Sequence, residues 1–191
     1  MAIDSFIIPL SKYLAGDYTT SLEDTFGKVN RISVFGKSIK KYKAYFTKSK
    51  ILKIQAELSK INVSYKFINE GSSVYASQFH SHDLFNDFIK QQNQSNFPQL
   101  LDLNVYSGLV VPIEFEQRIN IENLQLSFST MHSGITIQAE LNVLNETLLV
   151  PEEWDHKEWP DKNFHARAAL YQLREMLRLS ISNNLPIIFW G

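Results

Sequence analysis

Between residues 162 and 182, apolar side chains recur at helical spacing: Ala166, Ala169, Leu170, Leu173, Met176, Leu177 and Ile181. They line one face of a long helix, with Arg167, Arg174 and Arg178 opposite. A stripe that broad has to be covered by another layer of structure, so the rest of the chain must supply an apolar surface. Asn183-Asn184 ends the helix, and residues 185–190 read as a terminal strand.

The covering surface reads as β. Leu124, Leu126 and Phe128 alternate with Gln125, Ser127 and Ser129. Ile135, Ile137, Ala139, Leu141 and Val143 alternate with Thr136, Gln138, Glu140 and Asn142. Period two predicts strands over 124–131 and 135–143, joined as a hairpin through His132-Ser133-Gly134. Residues 105–111 form a continuous apolar run, as expected of a strand covered on both faces. Ile113 and Phe115 against Glu114 and Glu116 begin another alternation, continued at Ile119 and Ile121. Further strands are predicted at 31–35, closed by Gly36, at 39–46, where Lys alternates with Ile, Tyr, Ala and Phe, and at 63–68 and 73–76 around an Asn69-Glu70-Gly71 turn. Residues 6–10 read as a short extended segment, and Gly16-Asp17 as a turn.

Two more helices are expected. One starts at Thr47 as N-cap and runs to about Lys60 on Ile51, Ile54, Leu58 and Ile61. The other spans 81–92 on Leu84, Phe85, Phe88 and Ile89. The expected fold is α+β, a mainly antiparallel sheet with about three helices. It is read as a single domain over 1–191, with the polar run 91–99 as a loop or linker.

Composition narrows the function classes. The chain has 191 residues, 44% of them hydrophobic and 13% aromatic, which excludes a disordered or fibrous chain. With no cysteine, disulfide scaffolds, Cys-ligated zinc and thiol catalysis are excluded. The longest apolar runs, at 109–112 and 185–190, fall far short of the ~20 residues a membrane helix needs. Asp4 interrupts the apolar start early and no basic opening precedes it, so a cytoplasmic protein is expected. There are only seven glycines and no GxxxxGK[ST] or GxGxxG, which argues against a phosphate-cradling loop. No GxSxG elbow presents a serine, although Ser133 with His132 or His165 keeps a spatial Ser–His–Asp arrangement open.

Charge is unevenly distributed. Residues 28–66 hold eleven Lys/Arg against the single Glu57, a net +10, while the whole chain carries −1. Phe35, Tyr42, Tyr45 and Phe46 interleave these cations, as in nucleic-acid binders, but only Arg31 among them is arginine and no nucleic-acid motif is present. A solvated helix and strand face accounts for the same residues. The opposite sign concentrates in Glu152, Glu153, Asp155, Glu158 and Asp161, with Trp154 and Trp159 between them. Trp154 and Trp159 read either as packing on the core to anchor a solvated loop, or as rigid aromatics within a negative surface that suits the binding of a basic protein. Glu114 and Glu116 read as the wet side of a strand.

His80, His82 and Asp83 are the one group with metal-ligand chemistry. On an extended segment both histidines would share a face. The group is similar to the HxHxDH motif of metallo-hydrolases, but Leu84 and Phe85 stand where that motif needs Asp and His. A helix start explains these residues too, with Ser81 capping and Asp83 near the positive end of the dipole.

Phe6-Ile7-Ile8-Pro9-Leu10-Ser11, then Tyr13 and Gly16-Asp17-Tyr18, resembles the opening of bacterial immunity proteins encoded beside polymorphic or contact-dependent toxins. Leu185-Pro186-Ile187-Ile188-Phe189 after a long amphipathic helix is similar to their end. The resemblance covers about thirty residues and implies a non-enzymatic cytoplasmic inhibitor, without metal or cofactor, that occludes the active site of one cognate toxin domain. Glu152, Glu153, Trp154, Asp155, Glu158, Trp159 and Asp161 are the expected partner-binding residues. The alternatives are a nucleic-acid-binding module using 28–66 and a small metal-dependent hydrolase using His80, His82 and Asp83.

Overall fold

A strand whose neighbouring side chains are buried on both faces belongs inside a sheet, and β1 (Ile3–Ile7) takes such a place. The computed structural model describes residues 3–15, 37–68, 75–79, 81–121, 126, 128–154 and 162–190. After β1 come α1 (Leu10–Ala15), α2 (Lys37–Lys60), β2 (Tyr75–Phe79), α3 (His82–Lys90) and α4 (Pro98–Asp102). Then follow β3 (Gly108–Val111), β4 (Ile119–Asn120), β5 (Thr130–Ser133), α5 (Gly134–Leu148), α6 (Phe164–Asn183) and β6 (Ile187–Trp190).

The six strands are ordered β2-β1-β6-β3-β5-β4. β1 pairs antiparallel with β2 and β6, β6 with β3, and β4 with β5, while β3 and β5 run parallel. The sheet separates two apolar cores. On one face Ile3, Ile7, Val110, Ile187 and Phe189 meet α3, α5 and α6 through Phe85, Ile137, Leu141, Leu170, Leu173 and Leu177. On the other, Phe6, Ile8, Leu109, Val111, Met131 and Ile188 meet α2 through Ile51, Ile54 and Leu58. Period two along β1, β3 and β6 thus sends alternate residues into different cores.

The fold is α+β as expected; its sheet is mixed, antiparallel at every pairing but β3–β5, and the described residues hold six α-helices where about three were expected. The main correction lies at 135–143. Instead of a strand, the segment belongs to α5, capped by the Ser133 hydroxyl, which accepts from the Thr136 amide at 3.0 Å. Ile137, Leu141, Leu144 and Leu148 are buried, whereas Ala139 and Val143, which only the strand pattern would bury, are exposed. His132-Ser133-Gly134 is therefore a strand-to-helix junction, and the expected hairpin is absent. Residues 39–46 also belong to a helix, the first part of α2, which begins ten residues before Thr47. Residues 63–68 are not strand, β3 is shorter than the 105–111 run, and the 113–121 alternation contributes only β4. The expected linker 91–99 holds a 3-10 turn at Gln94–Asn96 and the start of α4. The expectations at 16–17 and 31–36 lie outside the described residues.

A buried polar network fixes α4 against the end of β5. The Glu140 carboxylate accepts from the Gln99 and Leu100 amides at 3.0 and 2.8 Å. Gln99 donates to the Phe115 and Glu116 carbonyls and accepts from the Ser133 amide. Burial pushes the Glu140 carboxyl up, while the two amide bonds favour its charged form.

Gly108 opens β3 directly over the turn at Asn104, whose side-chain oxygen accepts from the Tyr106 and Ser107 amides. A Cβ there would run into the Asn104 carbonyl, a backbone atom held by that turn. Gly108→Ala is expected to lower the unfolding free energy by about 1–3 kcal/mol, the range for overpacking. Urea denaturation measures it, and a wild-type midpoint would contradict this close approach.

Candidate functional site

The candidate site is assembled where α5 hands the chain toward α6. Leu149, with φ of 54°, ends α5 in the left-handed conformation, and its amide donates to the Asn145 carbonyl at 2.8 Å. The Asn145 side chain then grips the backbone beyond: Oδ1 accepts from the Val150 amide at 2.8 Å and Nδ2 donates to the Val150 carbonyl at 3.1 Å. From α6, the Arg174 guanidinium donates to the Val150 and Pro151 carbonyls and lies 5.9 Å from the Tyr171 ring centroid. Three residues on, Trp154 is only 7% exposed. Its ring packs 5.8 Å from Phe164 and 5.7 Å from Tyr171.

Glu152 and Glu153 therefore stand in solvent between two fixed points, the clamped carbonyls and the buried indole. Backbone held at both ends presents its carboxylates with less conformational freedom to lose on binding. Trp154 is directed into the protein, so in this arrangement it serves as the pin of the platform rather than as an exposed anchor. Asp155, Glu158, Trp159 and Asp161 lie outside the described residues.

The other candidates are dispersed. His80 lies outside the described residues, and His82 opens α3, with Nε2 3.0 Å from Asn86 Nδ2. Burial lowers the pKa of His82, while its neighbour Asp83 is exposed. No group of three or more metal-ligating side chains gathers among the described residues. Glu114 and Glu116 are exposed, flanking buried Phe115. In the basic segment, Lys48, Lys53, Lys60 and Lys66 face solvent, and Lys60 bridges Glu57 at 2.7 Å. No helix among the described residues is long and apolar enough to cross a membrane.

Ser133 and His132 are fully buried and do not form a nucleophile–base pair: the Ser133 hydroxyl donates to the Ile113 carbonyl, and His132 Nε2 lies 3.0 Å from Thr130 Oγ1. His165 instead meets Ser81, with Nδ1 3.0 Å from Oγ. Sequence reasoning read Ser81 only as a cap, because Ser before a helix is the ordinary capping pattern. Comparison with protein-family models, curated proteins and solved structures returned no match for this chain.

Burial first, and then the Arg118 charge, lower the His132 imidazole to about 4. Its unfolded value is near 6.5, so the folded state binds the proton less readily. The resulting stability is complete above about pH 6.5 and is lost as pH falls through about 4. The full loss is about 3 kcal/mol. His132→Gln is expected to remove that part of the acid sensitivity. Urea unfolding of both proteins at about pH 7 and about pH 4 checks this; an equal pH dependence in the two would contradict it.

Proposed function

We propose that this chain is an immunity-type inhibitor that neutralises a cognate protein toxin by covering its active site, without chemistry of its own at that interface. The observation that supports this most is the exposure of Glu152 and Glu153 on a platform clamped by Asn145, Arg174 and Trp154. The acidic sequence continues through Asp155, Glu158 and Asp161, with Trp159 as a further aromatic anchor. The resemblance of the two ends of the sequence to immunity proteins supports the same reading.

The partner surface is basic, as in the substrate groove of a nuclease toxin, where these carboxylates take the place of phosphates. Opposite charge accelerates encounter, and a preformed surface lowers the ordering cost of about 0.5–1.5 kcal/mol per immobilised side chain. Inhibition takes place in the cytoplasm, where a self-directed toxin would act.

The triple variant Glu152→Lys, Glu153→Lys, Asp155→Lys is expected to weaken binding to the cognate toxin domain by ~100-fold, about 2.7 kcal/mol. Association should slow, and its salt dependence should flatten. Interferometry over a range of ionic strengths reads both, and unchanged affinity would exclude this surface. Trp154→Ala serves as the contrast: it should lower stability by about 3–5 kcal/mol, as removal of a buried aromatic does.

A further inference from the structure

Ser81 precedes α3 without capping it. Its backbone is left-handed, with φ of 63° and ψ of 21°, and its hydroxyl makes no bond to the amides of the first turn. Such a conformation is uncommon for a residue with a side chain. The hydroxyl is turned instead to His165 in the first turn of α6, at 3.0 Å from Nδ1. His165 also lines a cleft of about 400 Å³ between α3 and α6. Leu84, Phe88 and Ala166 supply apolar walls, while Asp87, Gln91, Lys162 and Asn163 supply polar ones, and Ser81 stands outside the lining on the far side of its bond to His165. Small-molecule sites have volumes of roughly 300–1,000 Å³, so the cleft is large enough for a small ligand, and its lining is as polar as it is apolar.

We infer that Ser81 and His165 form a nucleophile–base pair that takes acyl groups from small esters. Three features converge on it. A serine at a strained turn between a strand and a helix is presented outward rather than absorbed into the helix. A ring nitrogen lies within the reach needed to take its proton. The first amides of α3 have no carbonyl partner within the helix and are not satisfied by the Ser81 side chain, so they are placed to stabilise an oxyanion.

In the reaction, an Oγ electron pair forms the bond to the ester carbonyl carbon as the hydroxyl proton passes to Nδ1. The carbonyl π pair moves onto oxygen. Collapse of that intermediate breaks the bond to the alcohol oxygen, which leaves with the proton held by His165. Water then attacks the acyl-serine by the same path, giving the carboxylic acid and restoring the hydroxyl. This inference does not rest on the toxin-binding reading, and either can fail without the other.

The test uses the full chain and a fluorophosphonate probe, with peptide mapping by mass spectrometry and p-nitrophenyl butyrate turnover measured in parallel. Ser81→Gly removes the hydroxyl while suiting the positive φ, and His165→Gln changes an exposed ring. Thermal melting verifies that both variants fold. The expected result is a label on Ser81, absent in Ser81→Gly and formed at least ~10-fold more slowly in His165→Gln, with ester turnover reduced in step. No label on folded wild-type protein, a label elsewhere, or equal rates in His165→Gln would each overturn the assignment.

Discussion

Phe6 faces Ile188 and Ile7 faces Ile187 across the antiparallel pair β1–β6, and the two apolar cores are built outward from that pair. Both strands are internal to the sheet, so each has to be apolar in both directions, and together they contribute Ile3, Ile7, Ile187 and Phe189 to one core and Phe6 and Ile188 to the other. The long helix α6 and the shorter α3 close over the first of these surfaces, and α2 closes over the second. Ser5, buried on β1, even reaches Met176 of α6, its hydroxyl 3.7 Å from the sulfur. One side of the acidic platform's clamp follows from α6 being held there, because Arg174, Tyr171 and Phe164 all project from it, while Asn145 of α5 supplies the other.

This arrangement explains why the two ends of the sequence carry its most recognisable patterns. Residues under two-sided burial are constrained at every position, whereas surface strands leave half their positions open. The same logic shows which parts of the fold were legible. The spacing of α6 and α3 stood out because each has a polar face to contrast with its apolar one. In α5, by contrast, Ile135, Ile137, Ala139, Leu141 and Val143 fit a strand as well as Ile137, Leu141, Leu144 and Leu148 fit a helix. Only the cap at Ser133 and the packing of α5 against α6 separate the two, and period alone cannot do so.

The candidate site was half legible. Charge marked Glu152 and Glu153 directly, but charge says nothing about what holds them. The grip of Asn145 on Val150 and of Arg174 on two carbonyls spans from five to twenty-four residues and leaves no local motif. The acidic neighbours of Trp154 in sequence left core packing and an exposed anchor equally open; in space its neighbours are Phe164 and Tyr171. Ser81 was read by its position before a helix, and its orientation toward a residue 84 positions away is a property of the packing of α3 on α6.

The central pair of strands also bears on how the molecule comes into being. Ile187 cannot meet Ile7 until all the residues between them have been synthesised. Until then β1 has only β2 beside it, and the apolar faces of α3 and α6 lack part of the sheet that covers them. Ordering of this pair thus waits on closing a large loop. Until β6 arrives the hydrophobic strands of a nascent chain lack their partner, and a chain interrupted before β6 has no centre around which the two cores can assemble.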